Sequence, residues 1–325
     1  MGNFRVVVTD DRFGSYEEEK SVLSEIGCTV EVCDLNGRDE GLRALSNADG
    51  VLVNTFAMTA DVIHGLSQCK VISRYGVGVD NVDVPAASSA GIWVARVPDY
   101  GYEEVSDHAL ALLFACIRNI VYVDKRIREG GWNLKDEYRS FRVAGRTLGI
   151  VGFGLIGRTL FRKVRGLGLA KIFVYDPFVS DEAVREAGAE PSALATLLAE
   201  SDYVSVHVPL SNESRGMIDK KHIALMKPTA ILVNTSRGGV VSEAALADAL
   251  AKGDLCAAGL DVFEREPLPA NSPLLHLDNV ILTDHTAYYS EEAIVELKTK
   301  AAQNILEVLQ GRKPLYPVNE PASRE

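Results

Sequence analysis

Short blocks of β-branched residues alternate with longer helical stretches along the whole chain, and this rhythm restricts it to a small set of folds. Arg5 to Thr9, Thr29 to Cys33, Gly50 to Asn54, Lys70 to Ser73 and Ile92 to Ala95 read as strands. A second series runs through Thr147 to Val151, Lys171 to Tyr175, Tyr203 to Val206, Ala230 to Val233, Cys256 to Gly259 and Val280 to Leu282. Strands spaced by helix-length segments are joined by crossovers, which makes the sheets parallel and covers them with helices. The expected fold class is α/β, with two Rossmann-like, doubly wound parallel-sheet domains.

Between the two series, Ala109, Leu110, Leu112, Leu113, Ile117, Ile120 and Ile127 recur at near-helical spacing, ending at Gly130-Gly131. This predicts one long helix from about Tyr102. Its apolar face is wider than one domain requires, so a homodimer contact is expected there, with burial against the chain's own domains as the alternative. A last helix, from about Ser290 to Leu309, stands outside the second series. The expected layout is an insertion: residues 1–100 and 288–325 form a flavodoxin-like substrate domain, and residues 101–287 form a cofactor domain. Two consecutive domains are the simpler alternative.

At 325 residues, 47% of them hydrophobic, the chain is long enough to bury two cores. Its formal net charge of -11, with no Lys/Arg run, argues against a nucleic-acid face. An anionic ligand must then be drawn in by local positive groups. Five cysteines without a CxxC pair suit reduced thiols in the cytoplasm. No apolar run reaches the roughly 18 residues of a membrane span, and the first residues lack the pattern of a signal peptide. Six histidines without paired ligand spacing predict no metal.

Leu148-Gly-Ile-Val-Gly152-Phe-Gly154-Leu-Ile-Gly157 places a GxGxxG between an apolar strand and a helix. Gly152 permits the tight turn, Gly154 lets the backbone approach a pyrophosphate, and Gly157 allows close packing of helix on strand. Asp176 ends the next strand at about the 20-residue spacing of a carboxylate that binds ribose hydroxyls. It would repel a 2′-phosphate, and Pro177-Phe178 offers no arginine to neutralise one. NAD is the expected cofactor.

Arg74 to Asn81 precedes the glycine loop, and three further segments follow it in order: Val233-Asn-Thr-Ser-Arg237-Gly-Gly239, Gly259-Leu-Asp261 through Glu266-Pro-Leu268, and Thr283-Asp-His285-Thr-Ala287. With the glycine loop, they resemble the successive signatures of the D-isomer-specific 2-hydroxyacid dehydrogenases over nearly the whole chain. Val97-Pro-Asp-Tyr100 and Glu103 to His108 resemble the branch that includes C-terminal-binding-protein-like members.

The resemblance implies hydride transfer between a nicotinamide and C2 of a small 2-hydroxy or 2-oxo acid. It implies Arg237 as the carboxylate-binding cation, His285 as the acid/base and Glu266 as its partner. The chemistry is intelligible in itself: a guanidinium holds a carboxylate bidentately, and a carboxylate beside an imidazole favours its protonated form. Glu264 competes with Glu266, which is preferred because it directly precedes Pro267. By the same matching Leu155 and Ile156 cover the pyrophosphate; His207, Val208, Pro209, Thr235, Ser236 and Ala287 line the cofactor; and Asp261 meets the nicotinamide amide. Val77 and Gly78 offer backbone N–H groups to the substrate, with Asn54 and Thr55 nearby.

The family usually has Pro before the catalytic His, whereas Asp284 stands here. Asn54 replaces the arginine that phosphoglycerate dehydrogenases commonly carry, and Phe56 and Met58 are expected to form an apolar pocket wall. Glyoxylate or hydroxypyruvate is therefore expected over 3-phosphohydroxypyruvate, with Arg74 or Arg96 as the second anion site if a phospho-, phosphono- or sulfo-substituted acid is taken instead. The rival of a different class is a dinucleotide-sensing interaction protein like the C-terminal-binding-protein corepressors, which retain the same residues.

Overall fold

The computed structural model describes residues 4–322. By internal contacts the chain divides into Met1–Gly101 with Ser290–Glu325, and Tyr102–Tyr289. The first unit holds strands β1 (Arg5–Val8), β2 (Thr29–Val32), β3 (Gly50–Val53), β4 (Val71–Arg74) and β5 (Trp93–Ala95). Its helices are α1 (Glu17–Leu23), α2 (Arg38–Leu45), α3 (Ala60–His64), α4 (Val84–Ser89) and the C-terminal α12 (Glu291–Leu309). The strands are parallel in the order β2-β1-β3-β4-β5. That order is flavodoxin-like, with its topological switch between β1 and β3.

The second unit contains α5 (Tyr102–Ile117), α6 (Ile120–Arg128), β6 (Thr147–Val151), α7 (Leu155–Val164), β7 (Lys171–Tyr175), α8 (Asp181–Ala187), β8 (Glu190–Pro191) and α9 (Leu194–Glu200). It continues through β9 (Tyr203–Val206), α10 (Lys220–Ile223), β10 (Ile231–Asn234), α11 (Glu243–Lys252), β11 (Ala257–Leu260) and β12 (Val280–Leu282). Its parallel sheet runs β12-β11-β10-β9-β6-β7-β8, which reverses direction between β6 and β9. Alternate residues of one strand enter different cores: Val204 and Val206 join one cluster while Tyr203 joins another. Helices therefore cover both faces of the sheet, as continuous apolar strands require.

The single long helix expected after Tyr102 is two helices. Asn119 takes a left-handed φ of 51°, and the pair bends by 59°. The halves have different surroundings. Ala109, Leu112, Leu113 and Cys116 of α5 are buried, and Leu112 Cβ lies only 2.9 Å from where a side chain at Gly259 of β11 would begin. By contrast α6 buries no residue and leaves Ile120 and Val121 about half exposed, with Trp132 beyond it 77% exposed. Among the described residues no single helix is long and apolar enough to cross a membrane.

Helix α12 completes the first unit. Ile305 packs where Gly50 of β3 lacks a side chain, and Ser73 Oγ of β4 donates to Ala301 O at 3.0 Å. On the same helix Lys298, 3% exposed, pairs with Glu18 of α1 and lies 3.8 Å from Glu19. Burial raises the Glu19 carboxyl above its ordinary range, and a hydrogen bond from Lys298 lowers that of Glu18. Removing the ammonium leaves the fully buried Glu19 without its cation, so Lys298→Ala should destabilise the protein by roughly 3–5 kcal/mol, the range for breaking a buried pair. Urea unfolding at neutral pH measures this; a loss below about 1 kcal/mol, the scale of an exposed pair, would show that the group is effectively solvated.

Candidate active site

The glycine loop leaves β6 through Gly152, whose φ is +96°. A Cβ there would lie 2.8 Å from the His207 carbonyl, and one at Gly157 would lie 2.1 Å from the Gly152 oxygen. Both contacts are with backbone, which has little room to yield. Gly154 differs: nothing lies within 4 Å of its missing Cβ, and it caps α7 in an extended conformation. The helix N-terminus behind that open position carries partial positive charge suited to a phosphate. Leu155, the first residue of α7, is 52% exposed beside it.

Asp176 directly follows β7. Its Oδ2 accepts the Phe153 N–H at 2.7 Å, so the carboxylate also fastens the glycine loop, and its Oδ1 accepts the Phe178 N–H at 2.9 Å. A carboxylate has about four acceptor sites, which leaves capacity for ribose hydroxyls. Next to it opens a cavity of about 290 Å³ lined by Tyr175, Asp176, Asp181, Pro191 and Ala193. Two acidic side chains on that cavity oppose a 2′-phosphate.

At the end of β9, burial lowers the His207 imidazole to about 4, so it is neutral near pH 7. Its Nε2 meets Ser205 Oγ at 2.8 Å, while its buried Nδ1 has no protein partner. Thr235 Oγ1, at the end of β10, is likewise buried without one. Unsatisfied buried polar atoms are uncommon. Together with the open cradle at Gly154, these two atoms suit a dinucleotide laid along the C-terminal ends of β6, β9 and β10.

Asn234, 1% exposed, builds the turn that presents Arg237. Its Oδ1 accepts from the Ser236 N–H and hydroxyl at 3.0 and 2.8 Å, and its Nδ2 donates to Arg237 O at 3.0 Å. Gly238 lets this turn approach the next segment, because a Cβ there would fall 1.8 Å from the Phe263 carbonyl carbon. The Phe263 N–H in turn donates to Glu266 Oε1 at 3.0 Å. Glu266 Oε2 meets His285 Nδ1 at 2.7 Å. Burial pulls the Glu266 carboxyl upward, but the bonds from His285 and Phe263 and the charges of His285 and Arg237 outweigh it and hold the group below its ordinary value. Glu264 has a different occupation: it accepts the Glu243 N–H at 2.8 Å at the start of α11. Asp284 is exposed and accepts from Thr286 Oγ1 at 3.1 Å.

Asp261 is buried at the end of β11. Its Oδ1 accepts from Thr283 Oγ1 at 2.6 Å and from the Thr286 N–H at 3.0 Å, and its Oδ2 accepts the Ala287 N–H at 3.0 Å. One acceptor site on Oδ2 remains for an amide donor.

In the first unit, Asn54 and Thr55 follow β3, and Val77 and Gly78 follow β4. Buried Asp10 holds the former loop, accepting the Asn54 N–H at 3.1 Å and the Thr55 hydroxyl at 2.7 Å. Asn81 Nδ2 donates to the Asn54 and Phe56 carbonyls at 3.0 and 2.9 Å. Of the apolar wall expected from Phe56 and Met58, only Phe56 borders a cavity, one of about 330 Å³ that it lines with Asp10 and Thr55. Met58 is fully buried and Phe56 is 8% exposed in the unit's core, with the Phe56 ring filling the space at Gly41.

Asn234, Gly238, Asp10, Asn81 and Thr283 are absent from the expectations drawn from sequence. Each acts on a neighbouring strand or loop; Asn81, Asn234, Gly238 and Thr283 are hinted at only by their place inside a recognisable segment, and Asp10, just past the first strand, by none.

The profile of the D-isomer specific 2-hydroxyacid dehydrogenase NAD binding domain matches residues 110–287. A glyoxylate reductase of Korarchaeum cryptofilum is 41% identical over 82% of this chain and 81% of its own length. The D-3-phosphoglycerate dehydrogenase of Methanocaldococcus jannaschii is 38% identical over 98% of this chain, which spans 60% of that longer protein. Among solved structures, a glyoxylate reductase from Paecilomyes thermophila superposes with a TM-score of 0.88 at 28% identity, covering 98% of this chain and 99% of that one. The chain belongs to the D-isomer-specific 2-hydroxyacid dehydrogenase family, NAD-dependent oxidoreductases acting on a CH–OH group.

Proposed function

We propose that the chain reduces a small 2-oxo acid, glyoxylate to glycolate or hydroxypyruvate to its D-2-hydroxy acid, with Arg237, His285 and Glu266 as the working side chains. The observation that carries this reading is the 2.7 Å contact between His285 Nδ1 and Glu266. It commits one ring nitrogen to the carboxylate and leaves Nε2 for the carbonyl oxygen of the acid. Arg237 meets the carboxylate through its planar fork and stabilises negative charge that develops on the carbonyl oxygen. NADH held in the cradle at Gly154 would supply the hydride for C2. His285 then delivers a proton from Nε2 to the oxygen; in the reverse direction it withdraws that proton. Asp176 holds the adenosine ribose, Thr235, Ser236, His207, Val208 and Pro209 line the cofactor, and the Val77 and Gly78 amides serve the acid. With Met58 buried in the core, the choice of an unphosphorylated acid rests on Asn54 and on the likeness to glyoxylate reductases.

Two further features extend the reading. The half-exposed Ile120 and Val121 of α6, with Trp132, form the apolar surface of a homodimer. The free thiols of all five cysteines suit the reducing cytoplasm.

An initial-rate panel of glyoxylate, hydroxypyruvate and 3-phosphohydroxypyruvate with NADH and NADPH tests the assignment. NADH should be preferred, Asp176→Ala should narrow the preference, and the unphosphorylated acids should have the higher kcat/KM. A tenfold advantage for the phosphorylated acid, about 1.4 kcal/mol in the transition state, would overturn the substrate choice and make Arg74 and Arg96 the next residues to replace.

His285→Ala should lose roughly 10²–10⁴-fold in kcat with NADH binding retained. Glu266→Gln removes the charge that favours the imidazolium, so the pH limb on which reduction declines should move to lower pH. A limb that stays in place would separate Glu266 from the proton step. Light scattering at micromolar concentration should give twice the chain mass, and Ile120→Glu should return it to one; a monomeric parent protein would reject the α6 surface.

A further inference from the structure

His285 occupies a left-handed backbone conformation, φ 58°, which side chains other than glycine seldom adopt. Something outside the residue must hold it there. The bonds that do so converge on Asp261. Its carbonyl accepts the His285 N–H at 2.8 Å, and its carboxylate takes the Thr283 hydroxyl and the Thr286 and Ala287 N–H groups. The histidine is thus pinned from both flanks and through its own amide to one buried residue.

Thr283 extends the arrangement to α5. Its hydroxyl has one proton, and the ionised Asp261 carboxylate can only accept, so that proton points to Asp261. The 3.0 Å contact between Thr283 Oγ1 and His108 Nε2 must then be donated by the histidine. His108 therefore carries a proton on Nε2, and by filling a lone pair of the hydroxyl it fixes the direction in which Thr283 donates. His108 is partly exposed on α5, its Nε2 also lies 3.6 Å from Asp261 Oδ1, and Leu112, one turn further along the same face of the helix, packs against β11.

We infer that His108, Thr283 and Asp261 form a positioning chain that sets the loop carrying His285, with Thr283 as its central link. None of the three donates or accepts the reaction's proton. Their effect is on where the imidazole of His285 sits, and catalysis is steep in that quantity: misplacement by about 1 Å can cost on the order of 100-fold in rate.

This inference rests on His285 as the acid/base, and the experiment separates the two. Thr283→Val removes the hydroxyl at constant shape, while Thr283→Ser restores it. His108→Leu removes the donor, while His108→Gln keeps one. Each is measured for kcat with glyoxylate and NADH, for NADH affinity by nicotinamide fluorescence, and for Tm. Thr283→Val and His108→Leu should lower kcat by roughly 10- to 100-fold with NADH affinity retained, and the serine and glutamine variants should recover most of the loss. The double variant should be no slower than Thr283→Val alone, because both changes break one chain. Equal kcat for the valine and serine variants, losses that multiply in the double variant, or losses of kcat that follow Tm in every variant would overturn the chain. If Thr283→Val does not fold, the His108 pair decides, since that site reaches the surface. His285→Ala is the control: full activity there refutes the acid/base reading itself, whereas an inactive His285→Ala beside native His108→Leu and Thr283→Val refutes only the positioning chain.

Discussion

All paired strands run parallel, so every strand of a sheet ends at the same edge, and each crossover must return over a face before the next strand can begin. The faces are given over to apolar packing, which leaves that one edge as the place where polar side chains can gather. In the second unit Gly152, Asp176, His207, Thr235, Asp261 and Thr283 all follow directly on strand ends. In the first unit Asp10 lies just beyond β1, Asn54 and Thr55 follow β3, and Val77 and Gly78 lie in the turn after β4. Residues far apart in sequence meet because adjacent strands are about 4.8 Å apart, a spacing that side chains span without unusual conformations.

Close approach of backbone to backbone then sharpens the arrangement. Gly157 against Gly152, Gly152 against His207 and Gly238 against Phe263 each remove a side chain where another segment's main chain passes. The last of these brings the Arg237 turn against the segment that carries Glu266, whose carboxyl senses the guanidinium charge. Gly259 makes room at β11 for a side chain instead, that of Leu112 on α5. Gly152 needs both conformational freedom and space; at Gly157, Gly238 and Gly259 the requirement is space.

The parallel α/β class and the family are legible in the sequence because their signals are local: β-branched blocks have a characteristic length, and the glycine loop, Arg237, Glu266 and His285 sit inside ordered segments. What is not legible depends on neighbours distant in the chain. Asn234 resembles any polar residue at a strand end until its three hydrogen bonds are seen, and Thr283 shows no role until Asp261 and His108 flank it. Phe56 and Met58 follow a strand and both look like pocket lining, yet Met58 turns inward and forms a parallel bridge with Val82, and the Phe56 ring fills the notch at Gly41 even as it borders a cavity. Periodicity also runs unbroken through Asn119, because one left-handed residue redirects a helix without disturbing the apolar spacing on either side.

The return of α12 to the first unit bears on the order in which the protein can be completed. Ile305 and Ala301 cover a face of the five-stranded sheet whose strands all lie within the first hundred residues, and the Ser73 hydroxyl finds its acceptor only on that helix. During synthesis, at about 5–20 residues per second, the sheet must wait for some two hundred further residues before its cover emerges. The inserted unit is continuous and has no such dependence. Of the two units, the one whose strands are translated first is therefore the last to be sealed, and throughout that interval an apolar face is available to chaperones or to other nascent chains.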